Sequence, residues 1–153
     1  KYYTGGDVPG NPSTSPNTLD RDYESQIAEI VAPCDVMKVN HHGYWDSVNP
    51  NFLWKMAPDV IIIPAIEAKH PVGETMARMC DRMYPGKRMI FATSDAGRAQ
   101  LGEELWQKMT AVGHIVVRAF DNGTKFQVFV LDATSRDYHL IYKSDVIDTA
   151  VKF

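Results

Sequence analysis

The chain has little of what usually announces a function. Only two cysteines, Cys34 and Cys80, stand among its 153 residues, and neither belongs to a C-x-x-C pair. That leaves no thiolate zinc site and no dithiol redox motif. Cys80 falls among apolar helix positions and reads as a small core residue. No apolar run approaches the ~18 residues that a membrane span needs, and no signal peptide is visible. The net charge is −3, so no global basic character advertises nucleic acid, although a local basic groove is compatible with it. No Gly-rich phosphate loop follows a first strand, which counts against a nucleotide-binding module. What remains is ordinary: 44% apolar and 23% charged residues, the balance of a globular domain, at a length suited to one domain and one core.

Against this background one stretch stands out, Asp35-Val36-Met37-Lys38-Val39-Asn40-His41-His42-Gly43. A short apolar strand runs directly into two adjacent histidines and a glycine. Two imidazoles at the C-terminal end of a strand sit where open α/β sheets place their ligands. Gly43 permits a sharp turn and a close approach by a ligand. Alternatively, one histidine is a loop residue and the other a satisfied core residue.

Taken in order, the chain opens on a strand, Tyr2 to Thr4, and turns at Gly5-Gly6 with Asp7 at the tip. A chain that opens inside a strand is expected to be a fragment. Val8 to Leu19 is a Pro/Gly/Ser/Asn/Thr loop, of a length that is usually functional or mobile. Asp20 is expected to cap a helix to about Val31, with Tyr23, Ile27, Ile30 and Val31 on its inner face. Pro33 ends it, and the Asp35–Val39 strand follows. Asn49-Pro50 starts a short helix that turns Phe52, Leu53 and Met56 inward. Asp59-Val60-Ile61-Ile62-Ile63-Pro64 has no polar alternation and reads as a strand buried on both faces. Its loop carries Glu67, Lys69, His70 and Pro71. Glu74 to Tyr84 reads as a helix with Met76, Met79, Cys80 and Met83 inward, and Met89 to Thr93 as a third strand. Thr93-Ser94-Asp95 is expected to cap the next helix, about Gln100 to Val112, which buries Leu101, Leu105, Met109 and Val112. Ser94 has no evident base partner and is not a candidate nucleophile. The grammar then changes: Ile115–Phe120 and Phe126–Asp132 flank Asp121-Asn122-Gly123 as a hairpin, and His139 to Tyr142 adds a third antiparallel strand. His114 and His139 read as structural or surface residues. Strands alternating with helices indicate an α/β layer architecture.

Three consecutive strands thus end in loops that carry Asp7, then His41 and His42, then His70. Imidazole with carboxylate suits zinc, iron or manganese. Paired metals ~3.5–4 Å apart can activate water and polarise a phosphoryl or carbonyl oxygen.

The run from Thr4-Gly5-Gly6-Asp7 through the strand ending in His41-His42-Gly43, the Pro58-led strand and Lys69-His70-Pro71 resembles the C-terminal half of a metallo-β-lactamase-fold hydrolase. It is most similar to the hydrolase domain attached to bacterial DNA-uptake channel proteins. The resemblance covers roughly Tyr2 to Thr93. It implies an α/β fold, half of a metallo-β-lactamase-like αββα sandwich with a C-terminal antiparallel hairpin, as a single-domain fragment spanning 1–153. It implies Asp7 as a metal-bridging carboxylate and His70 as the last metal-binding histidine. His41 or His42 would line the site, as a ligand or as a phosphate-facing donor. The family's HxHxDH motif is absent from this chain, and Asp7 and His70 alone cannot hold two metals, since a catalytic zinc usually takes three protein ligands.

Two departures concern the rim. Lys69 stands where the family usually has Gly, and Tyr44 where it usually has a small residue, with Trp45 next. These three are the candidate substrate-binding residues. The aromatics would stack on a base or sugar, or form a hydrophobic lid.

The expected function is therefore metal-dependent hydrolysis of a phosphodiester or another ester. The zinc, manganese or iron belongs to a full-length parent, and the fragment is inactive alone. Expected partners are the missing half of the same domain, a nucleic-acid or phosphoester substrate, and a second copy packed through an exposed apolar face. The compartment, cytoplasmic or extracytoplasmic in a bacterium, is not fixed. The rival expectation is a complete, non-catalytic α/β domain, Rossmann-like or flavodoxin-like, that binds a ligand or partner at the loop edge. A third is a nuclease-like domain that has lost its metal site and serves as an interaction module.

Overall fold

A computed structural model of the chain describes residues 1–11 and 21–150. Its first sheet is built from five parallel strands. They are β1 (Tyr2–Thr4), β4 (Val36–Lys38), β5 (Val60–Ile63), β6 (Met89–Ala92) and β7 (Ala111–Val112), in that spatial order. A short antiparallel pair, β2 (Gly10–Asn11) and β3 (Arg21–Asp22), lies between the first two in sequence. The helices are α1 (Tyr23–Val31), α2 (Pro50–Met56), α3 (Gly73–Cys80) and α4 (Arg98–Trp106). Each parallel strand lies beside its predecessor in this series. Right-handed crossovers that always step the same way put every helix on one face. Ala28 of α1, Phe52, Leu53 and Met56 of α2, Met76 and Met79 of α3 and Leu101 of α4 accordingly share one core.

Strand pleating divides the sheet's residues between two cores. Met37, Ile61, Ile63, Ile90 and Ala92 face the helices. Val36, Val60, Ile62 and Phe91 face the other way, onto Phe126, Val128, Val130 and Ile147. Those residues belong to the second sheet. Its central strand β9 (Lys125–Leu131) pairs antiparallel with β8 (His114–Phe120) on one side, and with β10 (Leu140–Lys143) and β11 (Ile147–Asp148) on the other. The layers are therefore helices, parallel sheet, antiparallel sheet. A cavity of about 440 Å³ opens between the two sheets, lined by Tyr2, Val36, Ile62, Ile115, Val117 and Phe126 among others. The Asp35 carboxylate accepts from the Lys1 amino group and, at 2.7 Å, from the Ala150 backbone N–H.

This is the mixed α/β architecture expected, with the buried β5 and the Asn-Gly hairpin in place. Among the described residues the parallel strand order runs one way without reversal, and a sheet rather than helices covers the second face.

Several local expectations are corrected. The cap of α1 is Asp22, whose side chain accepts from Ser25 N–H at 2.9 Å; Asp20 and the loop residues 12–19 lie outside the described residues. Helix α1 packs Ile27 and Val31 on the core as expected, but its fully buried residues are Glu24 and Ala28, while Ile30 is 82% exposed and Tyr23 half-exposed. Helix α3 stops at Cys80, which leaves Met83 exposed. Helix α4 begins at Arg98 behind Gly97 with no side-chain cap. Ser94 and Thr93 instead donate to the Ala65 carbonyl, both at 3.1 Å. Gly102, at φ 72° and ψ 161°, breaks the helical path, and Val112 belongs to β7 rather than to a long helix.

Candidate functional site

Strand β4 delivers its chain into a tight turn, Asn40–Gly43, in which three consecutive residues are left-handed: His41 at φ 40°, His42 at φ 56° and Gly43 at φ 74°. Glycine takes such a φ freely, whereas a side-chain-bearing residue there costs about 1–3 kcal/mol and persists only when its surroundings over-determine it. Gly43 is required twice over, because a Cβ would also lie 2.8 Å from Pro71 Cβ. The turn is tied on every side. His41 N–H donates to the Gly6 carbonyl (3.0 Å), Tyr44 N–H to His41 O (2.8 Å) and Val72 N–H to Gly43 O (3.1 Å).

Beneath the turn lies a buried polar network. Glu24, fully buried, accepts from Asn40 Nδ2 at 2.8 Å and from the Val48 and Asn49 N–H groups at 2.7 Å each. Asn40 in turn accepts from Tyr3 Oη at 2.9 Å. Burial pushes the Glu24 carboxyl up from the usual range, opposed by its three donors. Each donor would cost about 1–3 kcal/mol if left buried and unmet, so Glu24 holds both ends of the segment 40–49 that presents the histidines.

Ring contacts set the chemistry of each histidine. His42 Nδ1 lies 2.8 Å from the Pro64 carbonyl. A carbonyl only accepts, so Nδ1 is the donor in this contact. His42 Nε2 is 3.5 Å from Asp7 Oδ1. His41 Nδ1 is 2.7 Å from Asp46 Oδ1, which leaves Nε2 as the free nitrogen. A ring N–H held by a carbonyl or carboxylate is the arrangement that orients metal-ligating histidines.

His70 comes from the loop after β5. It is buried and stacks on His42, ring centroids 4.8 Å apart and planes 19° from parallel. Its Nδ1 is buried and has no hydrogen-bond partner among the described residues. Burial lowers its pKa, the neighbouring His42 adding to the effect, so the neutral ring with an available lone pair is the favoured form. Gly97 packs against the His70 carbonyl, which a Cβ there would meet at 2.4 Å.

On the rim, Tyr44 sets its ring edge against His70 at 5.8 Å, and Lys69 Nζ stands 5.2 Å from the Tyr44 centroid while pairing with Glu67 at 3.4 Å. Trp45 is 56% exposed beside Tyr44. Three loops therefore bring Asp7, His42 and His70 together, with Lys69 and Tyr44 at their edge. His41 turns its ring to Asp46 instead. His114 and His139 lie elsewhere, at the surface of the antiparallel sheet, where His139 faces Asp132. Sequence reading missed Glu24, Asn40 and Asp46. The one available signal was a glutamate on the face of α1 that packs inward.

No match was found among family models, curated proteins or solved structures. The reading of this site accordingly rests on its geometry. Imidazole and carboxylate donors, one of them an orphaned buried nitrogen, suit zinc, manganese or iron. Their number does not: among the described residues, no group of three or more His, Cys, Asp or Glu side chains could hold a metal ion.

Proposed function

We propose that this chain carries part of a metallohydrolase site of the metallo-β-lactamase type, acting on a phosphodiester or another ester. The supporting observation is the convergence of Asp7, His42 and His70 at the C-terminal ends of neighbouring parallel strands, with the His42 ring fixed by Pro64 and His70 Nδ1 left without a partner. In this reading Asp7 and His70 are ligands, and His42 is a ligand or a donor to the substrate. Lys69, Tyr44 and Trp45 receive the anionic or aromatic part of the substrate. His41, held by Asp46, flanks the site.

The shortfall in donors defines the rest of the proposal. Further ligands come from a second half of the sandwich, which would extend the two sheets at β1 and β8. Among the described residues, each of these strands has a neighbour on one side only. A bound metal would supply Lewis acidity and an activated water; this chain's residues orient the donors, of which only His70 is buried. By itself the chain is inactive.

Zinc titration followed by calorimetry tests the reading. The expected result is weak binding, weakened about tenfold or more in Asp7→Asn and in His70→Ala. Binding unchanged in both variants would remove the site. Robust metal-dependent turnover of a generic phosphodiester by this chain alone would overturn the half-site reading. Metal-independent binding of a flavin or nucleotide at this edge, abolished by His42→Ala, would favour a non-catalytic binding domain.

A further inference from the structure

The opposite end of the parallel sheet carries a second concentration of chemistry. Where β6 begins, a cavity of about 220 Å³ is lined by Arg82, Lys87, Arg88 and Lys108, with Met79, Cys80 and Ile90 as its apolar floor. Four cations share this space in a chain whose net charge is −3. Among the described residues, none of the four has a carboxylate within ion-pair distance. Of the nearby acids, Asp81 accepts from Met83 N–H at 2.9 Å and acts on Arg88 by its charge, and Asp59 accepts from Lys87 N–H at 3.0 Å.

Arg88 is the key group. Its backbone is left-handed, at φ 52°. One guanidinium nitrogen, Nη1, donates to the Asp81 carbonyl, but Nε is buried and has no partner. A buried N–H without an acceptor costs about 1–3 kcal/mol. Four cations around one cavity repel one another as well, and the Asp81 charge offsets this only at Arg88. The carbonyls at the C-terminal ends of α3 and α4 attract cations to this end, which accounts for some of the charge. They do not account for a donor that is buried and unmet. An anion with several oxygens, taking the outer guanidinium nitrogens and drawing the Arg88 side chain into the cavity, would neutralise the cluster together. The arginine fork suits phosphate oxygens, and lysines act beside it as point charges.

We infer that this cavity binds a small diphosphate-bearing anion, with Arg88 as its anchor and Lys87, Lys108 and Arg82 closing around it. The site is independent of the histidine edge. Its ligand could be free diphosphate or the diphosphate of a nucleotide, which share the recognised group.

The test is calorimetric titration of the full chain, in chelator and at low salt, with inorganic pyrophosphate, with ADP and with inorganic phosphate. Saturable one-to-one binding of pyrophosphate is expected, with orthophosphate at least about tenfold weaker. Arg88→Met should weaken pyrophosphate about tenfold or more, and Arg88→Lys should recover only part of the loss. Lys108→Met, which leaves the Arg88–Asp81 bond intact, should also weaken it and guards against a folding defect in the Arg88 variants. ADP binding as tightly as pyrophosphate assigns the nucleotide source, and ADP binding far more weakly assigns the free anion. Absence of saturable binding overturns the proposal. So does binding that survives both Arg88→Met and Lys108→Met, or binding lost in His42→Ala but not in these.

Discussion

In the loop after β4, His41 and His42 each have ring Nδ1 engaged, by Asp46 and by the Pro64 carbonyl. In the loop after β5, His70 Nδ1 is buried and has no hydrogen-bond partner among the described residues. The first loop pays for two strained histidines with a network that reaches down to Glu24, whereas the second has no strained histidine and an unmet ring nitrogen. The contrast separates two jobs. One loop is a platform whose ring Nδ1 atoms are both engaged, and the other holds a buried ring nitrogen that no described residue engages.

Mutations can break that contrast. The largest effect is expected from Glu24→Ala, which strands the Val48 and Asn49 N–H groups and the Asn40 amide. Urea denaturation should show a loss of about 3 kcal/mol or more, and the histidine turn should lose order in amide exchange. The same carboxyl has a pH signature. Its folded pKa is raised by burial above the ordinary 4.5. The stability that goes with its protonated form is therefore fully present below that ordinary value and is lost as pH rises through the folded pKa. Glu24→Gln should remove this fall, seen as a flatter dependence of unfolding free energy on pH above the ordinary carboxyl range.

A smaller effect is expected at Gly43→Ala, where left-handed backbone and contact with Pro71 combine. Loss of about 1–3 kcal/mol by thermal or urea unfolding is expected. A change of only a few tenths would show that the turn relaxes and that the platform is softer than its contacts imply. The smallest effect is expected in the other loop. His70→Phe keeps the stacked ring and removes the unmet nitrogen, so stability should stay within about 1 kcal/mol of the parent, on the favourable side. A larger loss would mean that the ring nitrogen is satisfied in solution, and the contrast between the loops would fail.

The layer architecture was legible because its signals are local. The unbroken Val60–Ile63 run marked a strand buried on both faces, and Asn122-Gly123 marked the hairpin. That Asp7, the His41-His42 pair and His70 reach one edge was legible too, since consecutive parallel strands deliver their loops there; which of the two adjacent histidines meets Asp7 was not. Nor were the roles within the cluster. They depend on which acceptor each ring finds, and Pro64 lies 22 residues from His42 in sequence. The inner face of α1 was partly misjudged for a related reason. Apolar periodicity assigns Ile30 to the core, but three donors waiting in the 40–49 segment draw Glu24 there instead. A buried acid with distant partners leaves no periodic trace.

The one-way order of the parallel strands also bears on how the molecule assembles. Each helix–strand unit docks on the unit made just before it, so the parallel sheet can grow outward step by step as the chain emerges, through loops of modest length. The bond from Ala150 to Asp35 is of another kind, closing a span of 115 residues. It forms only when both sheets are in place, so it is a late latch on a scaffold that has already condensed, and the histidine edge can be shaped before that latch closes.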